Sequence, residues 1–128
     1  MRVLLDTHTL VWWWQGNPRL SNATRELISD PSVDVYISAV SAFEIATKVR
    51  IRKLPEARKL VLRFNEAMAE QGFLHLPISA RHALRAGFLD GTHRDPFDRL
   101  LAAQSIIEDM PVLTADTAIR ELGAETFW

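Results

Sequence analysis

The 128-residue chain has no cysteine. That excludes disulfides, thiolate zinc sites and cysteine nucleophiles, and it fits a reducing cytoplasm. No apolar run approaches the ~20 residues that a membrane-spanning helix needs. The opening Met1-Arg2-Val3-Leu4-Leu5-Asp6 meets an acid before a secretory signal could develop its apolar core, so a cytoplasmic protein with no membrane partner is expected. The chain lacks the phosphate-cradling loops G-x-x-x-x-G-K-[ST] and G-x-G-x-x-G, so nucleotide binding of those kinds has no structural basis. It also lacks low-complexity tracts, repeats and linkers, and reads as a single domain over residues 1–128. An excess of one charge is missing too: 15 basic residues face 16 acidic ones, so the chain is not globally basic.

What charge there is has been distributed unevenly. Lys48 to Arg63 contains seven basic residues and one acid, Glu56, giving this segment +6 and the remainder −7. A basic stripe beside an acidic remainder suits either a phosphate track or a solvated helix face.

Hydrophobic periodicity alternates between strand and helix. Val3-Leu4-Leu5 reads as a strand buried on both faces, Val33–Ile37 as a second strand, Phe73–Leu76 as a third, Val112-Leu113 as a fourth and Ala124–Phe127 as a last one. Between them the spacing predicts helices over His8–Gln15, Thr24–Ser29 after the cap Ser21, Ser38–Arg52, Pro55–Gln71, Ser79–Ala86 and Asp95–Asp109, with a short one at Asp116. Phe43, Ala46 and Val49 fall on one face of the third helix, and Leu60, Phe64 and Met68 form a stripe on the fourth. Short apolar strands separated by helices imply right-handed crossovers. The expected fold is α/β: three α/β/α layers around a mainly parallel sheet of four to five strands.

Four acids stand at telling places in that scheme. Asp6 follows the first strand and Asp116 the fourth, while Glu44 and Asp98 lie in the first turns of helices. Each has a routine use, as a cap, a first-turn charge or the Glu44–Lys48 pair. Together they gather at the edge where parallel strands end, which is where open α/β folds bind ligands. Four carboxylates converging there repel one another unless a cation joins them. Oxygen donors without cysteine suit Mg²⁺ or Mn²⁺, ions that serve phosphodiester hydrolysis.

The segments carrying these acids resemble those of PIN-domain ribonucleases, and most closely the VapC-type toxins of type II toxin–antitoxin systems. They are Val3-Leu4-Leu5-Asp6-Thr7-His8, Ser38-Ala39-Val40-Ser41-Ala42-Phe43-Glu44-Ile45, Asp95-Pro96-Phe97-Asp98-Arg99-Leu100-Leu101-Ala102-Ala103-Gln104 and Val112-Leu113-Thr114-Ala115-Asp116. They occur in family order across nearly the whole chain. The resemblance implies a PIN-like domain with Asp6, Glu44, Asp98 and Asp116 as catalytic residues holding Mg²⁺ or Mn²⁺. It also implies an endoribonuclease with an RNA substrate, a homodimer, and neutralisation by a cognate antitoxin protein. Beside such a site Lys48, Arg50, Arg52 and Lys53 become candidates for RNA binding. Thr114 and Ser38 are candidates for orienting metal-bound water. Asp95 reads as a helix cap ahead of Pro96, or as a partner standing behind the metal ligands. His8 receives no role.

Trp12, Trp13 and Trp14 spread over about 200° of a helix, wider than one apolar stripe, so at least one is expected to face outward as an interface anchor. Other readings fit less well. A haloacid-dehalogenase-like phosphatase calls for Asp-x-Asp where this chain has Asp6-Thr7-His8, and a receiver domain calls for an acceptor aspartate near Arg50. A PIN-like binding module without activity remains the alternative, and metal affinity separates the two.

Overall fold

Val3, Leu4 and Leu5 are all fully buried because the strand that carries them has packed helices on both sides. In the computed structural model, which describes residues 1–128, that strand is β1 (Arg2–Leu5). It lies at the centre of a five-stranded sheet with β2 (Asp34–Ser38), β3 (Leu74–Leu76), β4 (Val112–Leu113) and β5 (Thr126–Phe127), in the order β3-β2-β1-β4-β5. Every pairing is parallel, with Val3 beside Val35 and Leu4 beside Val112.

Eight helices connect and cover the strands: α1 (Thr7–Gln15), α2 (Asn22–Ser29), α3 (Ala39–Arg50), α4 (Arg58–Leu62), α5 (Phe64–Gln71), α6 (Ala80–Phe88), α7 (Pro96–Glu108) and α8 (Thr117–Glu121). The two-residue alternation of strands divides the core. Val3, Leu5, Val35, Ile37 and Leu113 pack with Leu10, Ile45, Leu60 and Met68 on one face. Leu4 and Val112 pack with Leu101, Ile119 and Leu122 on the other. The three-layer architecture is the one the sequence predicts.

Two expectations change. The helix predicted over Pro55–Gln71 is a 3-10 turn (Pro55–Ala57) followed by α4 and α5, with the backbone leaving helical geometry at Arg63 (φ −127°, ψ 32°). An unbroken helix of this length would run about 25 Å in a straight line. The bend wraps the segment so that Ala57, Leu60 and Met68 all reach one core. On α3, the stripe of Phe43, Ala46 and Val49 is only partly covered: Val49 packs against the core, and Phe43 is 64% exposed. The buried residues are Val40, Ser41, Glu44 and Ile45, because α3 turns toward α1 and α7 as well as the sheet.

Strand order decides where a site can form. From β1 the chain proceeds outward to β2 and β3, then crosses back to β4 on the opposite side of β1. The helices after β1 and β4 therefore depart separately, leaving a crevice at the strand ends between them. Asp6 and Thr114 occupy its two lips, immediately beyond β1 and β4.

Gln104 joins the next strands to the same end. Its side chain is fully buried on α7, accepts a hydrogen bond from Ser38 Oγ and donates one to the carbonyl of Pro77 at 3.2 Å. Gln104→Leu strands both partners at roughly 1–3 kcal/mol each. Urea denaturation should show a loss of about 2–6 kcal/mol on that accounting; an unchanged midpoint would contradict this role for the amide.

Candidate functional site

Asp6 ends β1 and is the N-cap of α1, with extended backbone (φ −65°, ψ 155°). Its Oδ1 accepts from Thr7 N at 2.7 Å, and its Oδ2 accepts from Thr114 Oγ1 at 2.7 Å. Thr114 Oγ1 also receives the backbone N–H of Asp116 at 3.0 Å. One hydroxyl thus links the residues that follow β1 and β4. Asp116 caps α8 through Oδ1, which accepts from Ala118 N at 2.9 Å, and its side chain is exposed.

Asp98 comes from the other side of the crevice, in the first turn of α7. Asp95 and Pro96 open that helix as the sequence implies, and Asp95 Oδ1 accepts from the N–H groups of Phe97 and Asp98. Asp95 is therefore a cap. Its carboxylate also stands close to Asp98: ligand atoms of His93, Asp95 and Asp98 all lie within 4.8 Å of one another.

The charges of these acids are felt mutually. Burial pushes Asp6 up to about 6, and the nearby Asp98 charge adds to the rise, while the hydrogen bond from Thr114 and the proximity of His8 oppose it. Burial also raises Asp98, with Asp95 and Asp116 contributing repulsion and the His93 hydrogen bond working against it. Asp98 thus links Asp6 and Asp116 electrostatically, joining acids from three separate segments.

Compensating cations are few. Arg99, next to Asp98 in sequence, turns away and donates instead to the backbone carbonyls of Ala86, Leu89 and His93. This clamp holds the loop between α6 and α7, and the loop delivers His93, whose Nε2 is 2.7 Å from Asp98 Oδ2. That hydrogen bond, followed by the charges of Asp98, Asp95 and Asp116, raises the His93 pKa. Neither the His93 contact nor the Arg99 clamp was anticipated. The available signal was a histidine in a polar loop two residues before an Asp-Pro helix start.

Glu44 is buried on the face of α3 that also carries Ser41, and Ser41 Oγ is 3.0 Å from Thr7 Oγ1, beside Asp6. Its carboxylate is paired with Lys48 Nζ at 2.6 Å. Lys48 is therefore engaged with Glu44, which makes no contact with Asp6, Asp98 or Asp116, whereas Arg50, Arg52 and Lys53 are exposed and form no ion pair. Ser38 is buried, capping α3 through Val40 N and donating to Gln104. Of the two candidate water-orienting hydroxyls, Thr114 touches an acid of the cluster and Ser38 is occupied elsewhere.

The tryptophans diverge as expected. Trp14 is exposed, beside Leu62 and Arg63. Trp13 donates its indole N–H to Gln71 and leans on Phe73. Trp12 turns toward the acidic crevice, where with His8 and Thr9 it lines a hollow that also contains Asp6 and Asp116.

The donor set fits a hard divalent cation. It consists of carboxylates with one imidazole and no sulfur, and one of its acids, Asp6, is buried with no ion pair of its own. No helix of the chain is long and apolar enough to cross a membrane.

A family model described as PIN domain matches residues 3–125. No curated protein sequence matches. Among solved structures, a chain of VapBC2 from Rickettsia felis bound to a promoter DNA fragment is similar over 99% of this chain and 98% of that one, with a TM-score of 0.73 and 18% identity. A chain of FitAB bound to the IR36 DNA fragment gives a TM-score of 0.71 at 22% identity, covering 98% and 93%. A chain of a toxin–antitoxin complex from Klebsiella pneumoniae gives 0.69 at 19% identity, covering 98% and 96%. At these identities the likeness is one of fold.

Proposed function

The chain belongs to the PIN-domain family, and on that premise we propose that it is a metal-dependent endoribonuclease serving as the toxin of a toxin–antitoxin pair. The observation that carries the nuclease is the convergence of Asp6, Asp98 and Asp116 at the sheet's crossover crevice, with Asp6 and Asp98 both resisting ionisation in the absence of a cation.

In this reading Asp6, Asp98, Asp116 and Glu44 hold Mg²⁺ or Mn²⁺. When bound, the cation supplies the charge that stabilises in-line displacement at phosphorus and activates the attacking water. The chain's own groups prepare the site. Thr7 N–H and Thr114 Oγ1 fix both oxygens of Asp6, so its rotamer is set before any ligand arrives. His93 orients Asp98 through Oδ2. Lys48 offsets the charge of Glu44, and Asp116 leaves one oxygen without a hydrogen bond. Arg50, Arg52 and Lys53 offer phosphate contacts on the exposed end of α3 and the turn after it.

The toxin assignment, with a cognate antitoxin and a homodimeric assembly, rests on the resemblance of the sequence motifs and on folds shared with chains of toxin–antitoxin complexes.

Purified protein should cut a labelled RNA pool in Mg²⁺ or Mn²⁺ and leave it intact in EDTA. Cleavage of single-stranded DNA but not RNA would overturn the substrate. No cleavage together with no metal binding by calorimetry would leave the alternative, a PIN-like binding module.

A further inference from the structure

The hollow beside Asp6 and Asp116 has a composition that metal binding does not require. It measures about 250 Å³ and is walled by His8, Thr9, Trp12 and Ala115 as well as the two acids. That is below the roughly 300–1,000 Å³ of pockets that enclose a whole small molecule. It suits a single flat ring system.

Trp12 is held in place rather than loosely exposed. The ring of Trp128 meets it edge-on, with centroids 5.8 Å apart and planes at 65°. His8, one helical turn earlier, stands 5.9 Å away at 42°. A tryptophan serving only the core would be sealed from solvent; this one is half-buried and forms the wall of an open hollow.

Cations flank the aromatic group. The Arg19 guanidinium lies 6.0 Å over the Trp12 ring. Across Ala115 and Asp116, a second hollow is lined by Arg120, Phe127 and Trp128. Neither Arg19 nor Arg120 is in an ion pair. Aromatic faces with guanidiniums to either side match single-stranded nucleic acid, whose bases stack while its phosphates take the charges. Lys48, Arg50, Arg52 and Lys53 make no cation–π contact.

We propose that the Trp12–His8 hollow is a nucleobase subsite that receives one unstacked base next to the scissile phosphate of a single-stranded RNA. This rests on the nuclease reading above and assigns how its substrate is seated. Trp12 stacks the base with His8 at its edge, Trp128 props Trp12, and Arg19 and Arg120 take the neighbouring phosphates. The subsite therefore demands a looped-out or single-stranded context, with tolerance for base identity because every base offers a flat face.

The test uses a fluorescein-labelled RNA that the wild-type protein cuts once, and a set of the same RNA with an abasic site at each successive position. Binding is measured by anisotropy in EDTA. One abasic position adjoining the cut bond should weaken wild-type binding by roughly 5- to 150-fold, the range expected for one base–aromatic stack. Trp12→Leu should lose a similar factor on the intact RNA and nothing further on that abasic RNA, whereas Trp12→Phe should keep the position dependence. His8→Ala, at an exposed position, repeats the comparison without disturbing the core if Trp12→Leu melts early. Equal weakening of all RNAs by these variants, or none, overturns the subsite and leaves the hollow to a protein segment. A wild-type protein that cuts RNA but shows a flat abasic profile overturns the subsite alone. One that neither cuts nor binds RNA overturns the nuclease reading and the subsite with it.

Discussion

Asp98→Asn should lower metal-dependent cleavage by roughly 10²–10³-fold or more while leaving the fold intact, since removal of one preorganised charge-stabilising group has effects of that order. The amide has the shape of the carboxylate and can still accept the hydrogen bond from His93 Nε2, so loop and helix keep their contact. What disappears is the negative charge that raises Asp6 and that Asp95 and Asp116 oppose. His93→Ala makes an informative partner. It leaves all the acids in place and removes only the group that orients Asp98, and such outer partners are worth about 10–100-fold in metal affinity. Single-turnover cleavage at saturating and limiting Mn²⁺ separates the two. The histidine variant should recover at high Mn²⁺ and the aspartate variant should not. An Asp98→Asn protein cutting at the wild-type rate would remove Asp98 from the centre.

Asp6→Asn should make the metal-free protein more stable, although it destroys the site. Asp6 in the folded chain is pushed up to about 6 from 3.8. The folded state therefore holds this proton more tightly than the unfolded state. Its contribution to stability is fully present below pH 3.8 and is lost as pH rises through about 6. The shift corresponds to about 3 kcal/mol withheld at neutral pH, as an order of magnitude. Asparagine carries no charge to bury, so thermal unfolding in EDTA at pH 7.5 should shift upward by roughly 10 °C for a chain of this size. Saturating Mn²⁺ should raise the melting temperature of the wild-type protein at pH 7.5, raise it less at pH 5, where the proton competes, and leave Asp6→Asn unmoved. A destabilised Asp6→Asn protein in EDTA would mean that the hydrogen bonds from Thr7 and Thr114 outweigh the burial of charge.

The two experiments address different halves of one design. Asp98 is reached by a clamped loop and a helix cap, whereas Asp6 is sealed beneath Thr114 and the first turn of α1. Both acids are held in position at a cost to the empty protein, as expected for a centre preorganised for a cation.

Much of this was legible without coordinates. The strands, the caps Ser21, Asp95 and Asp116, and the helix ends at Gln15 and Gln71 depend on residues within about one helical turn of each other, and local chemistry is what a linear pattern records. The convergence of Asp6 and Asp116 was legible as well, because parallel strands bring their ends to one edge whatever their order. The break at Arg63 was not, since a stripe of Leu60, Phe64 and Met68 is equally compatible with a straight helix. Nor was the outward Phe43, because a periodic stripe names a face without saying which neighbour covers it.

The sequence by itself determined the α/β class, the positions of the acids relative to the strand ends, the family resemblance and the outward turn of at least one of three consecutive tryptophans. Only the tertiary structure decided which groups answer those acids. His93 meets Asp98 because Arg99 ties down an irregular loop, and Trp12 meets Trp128 from the far end of the chain. Periodicity and capping act over three or four residues. A contact spanning 108 positions, such as that between Thr114 and Asp6, exists only once the order β3-β2-β1-β4-β5 has set β4 beside β1.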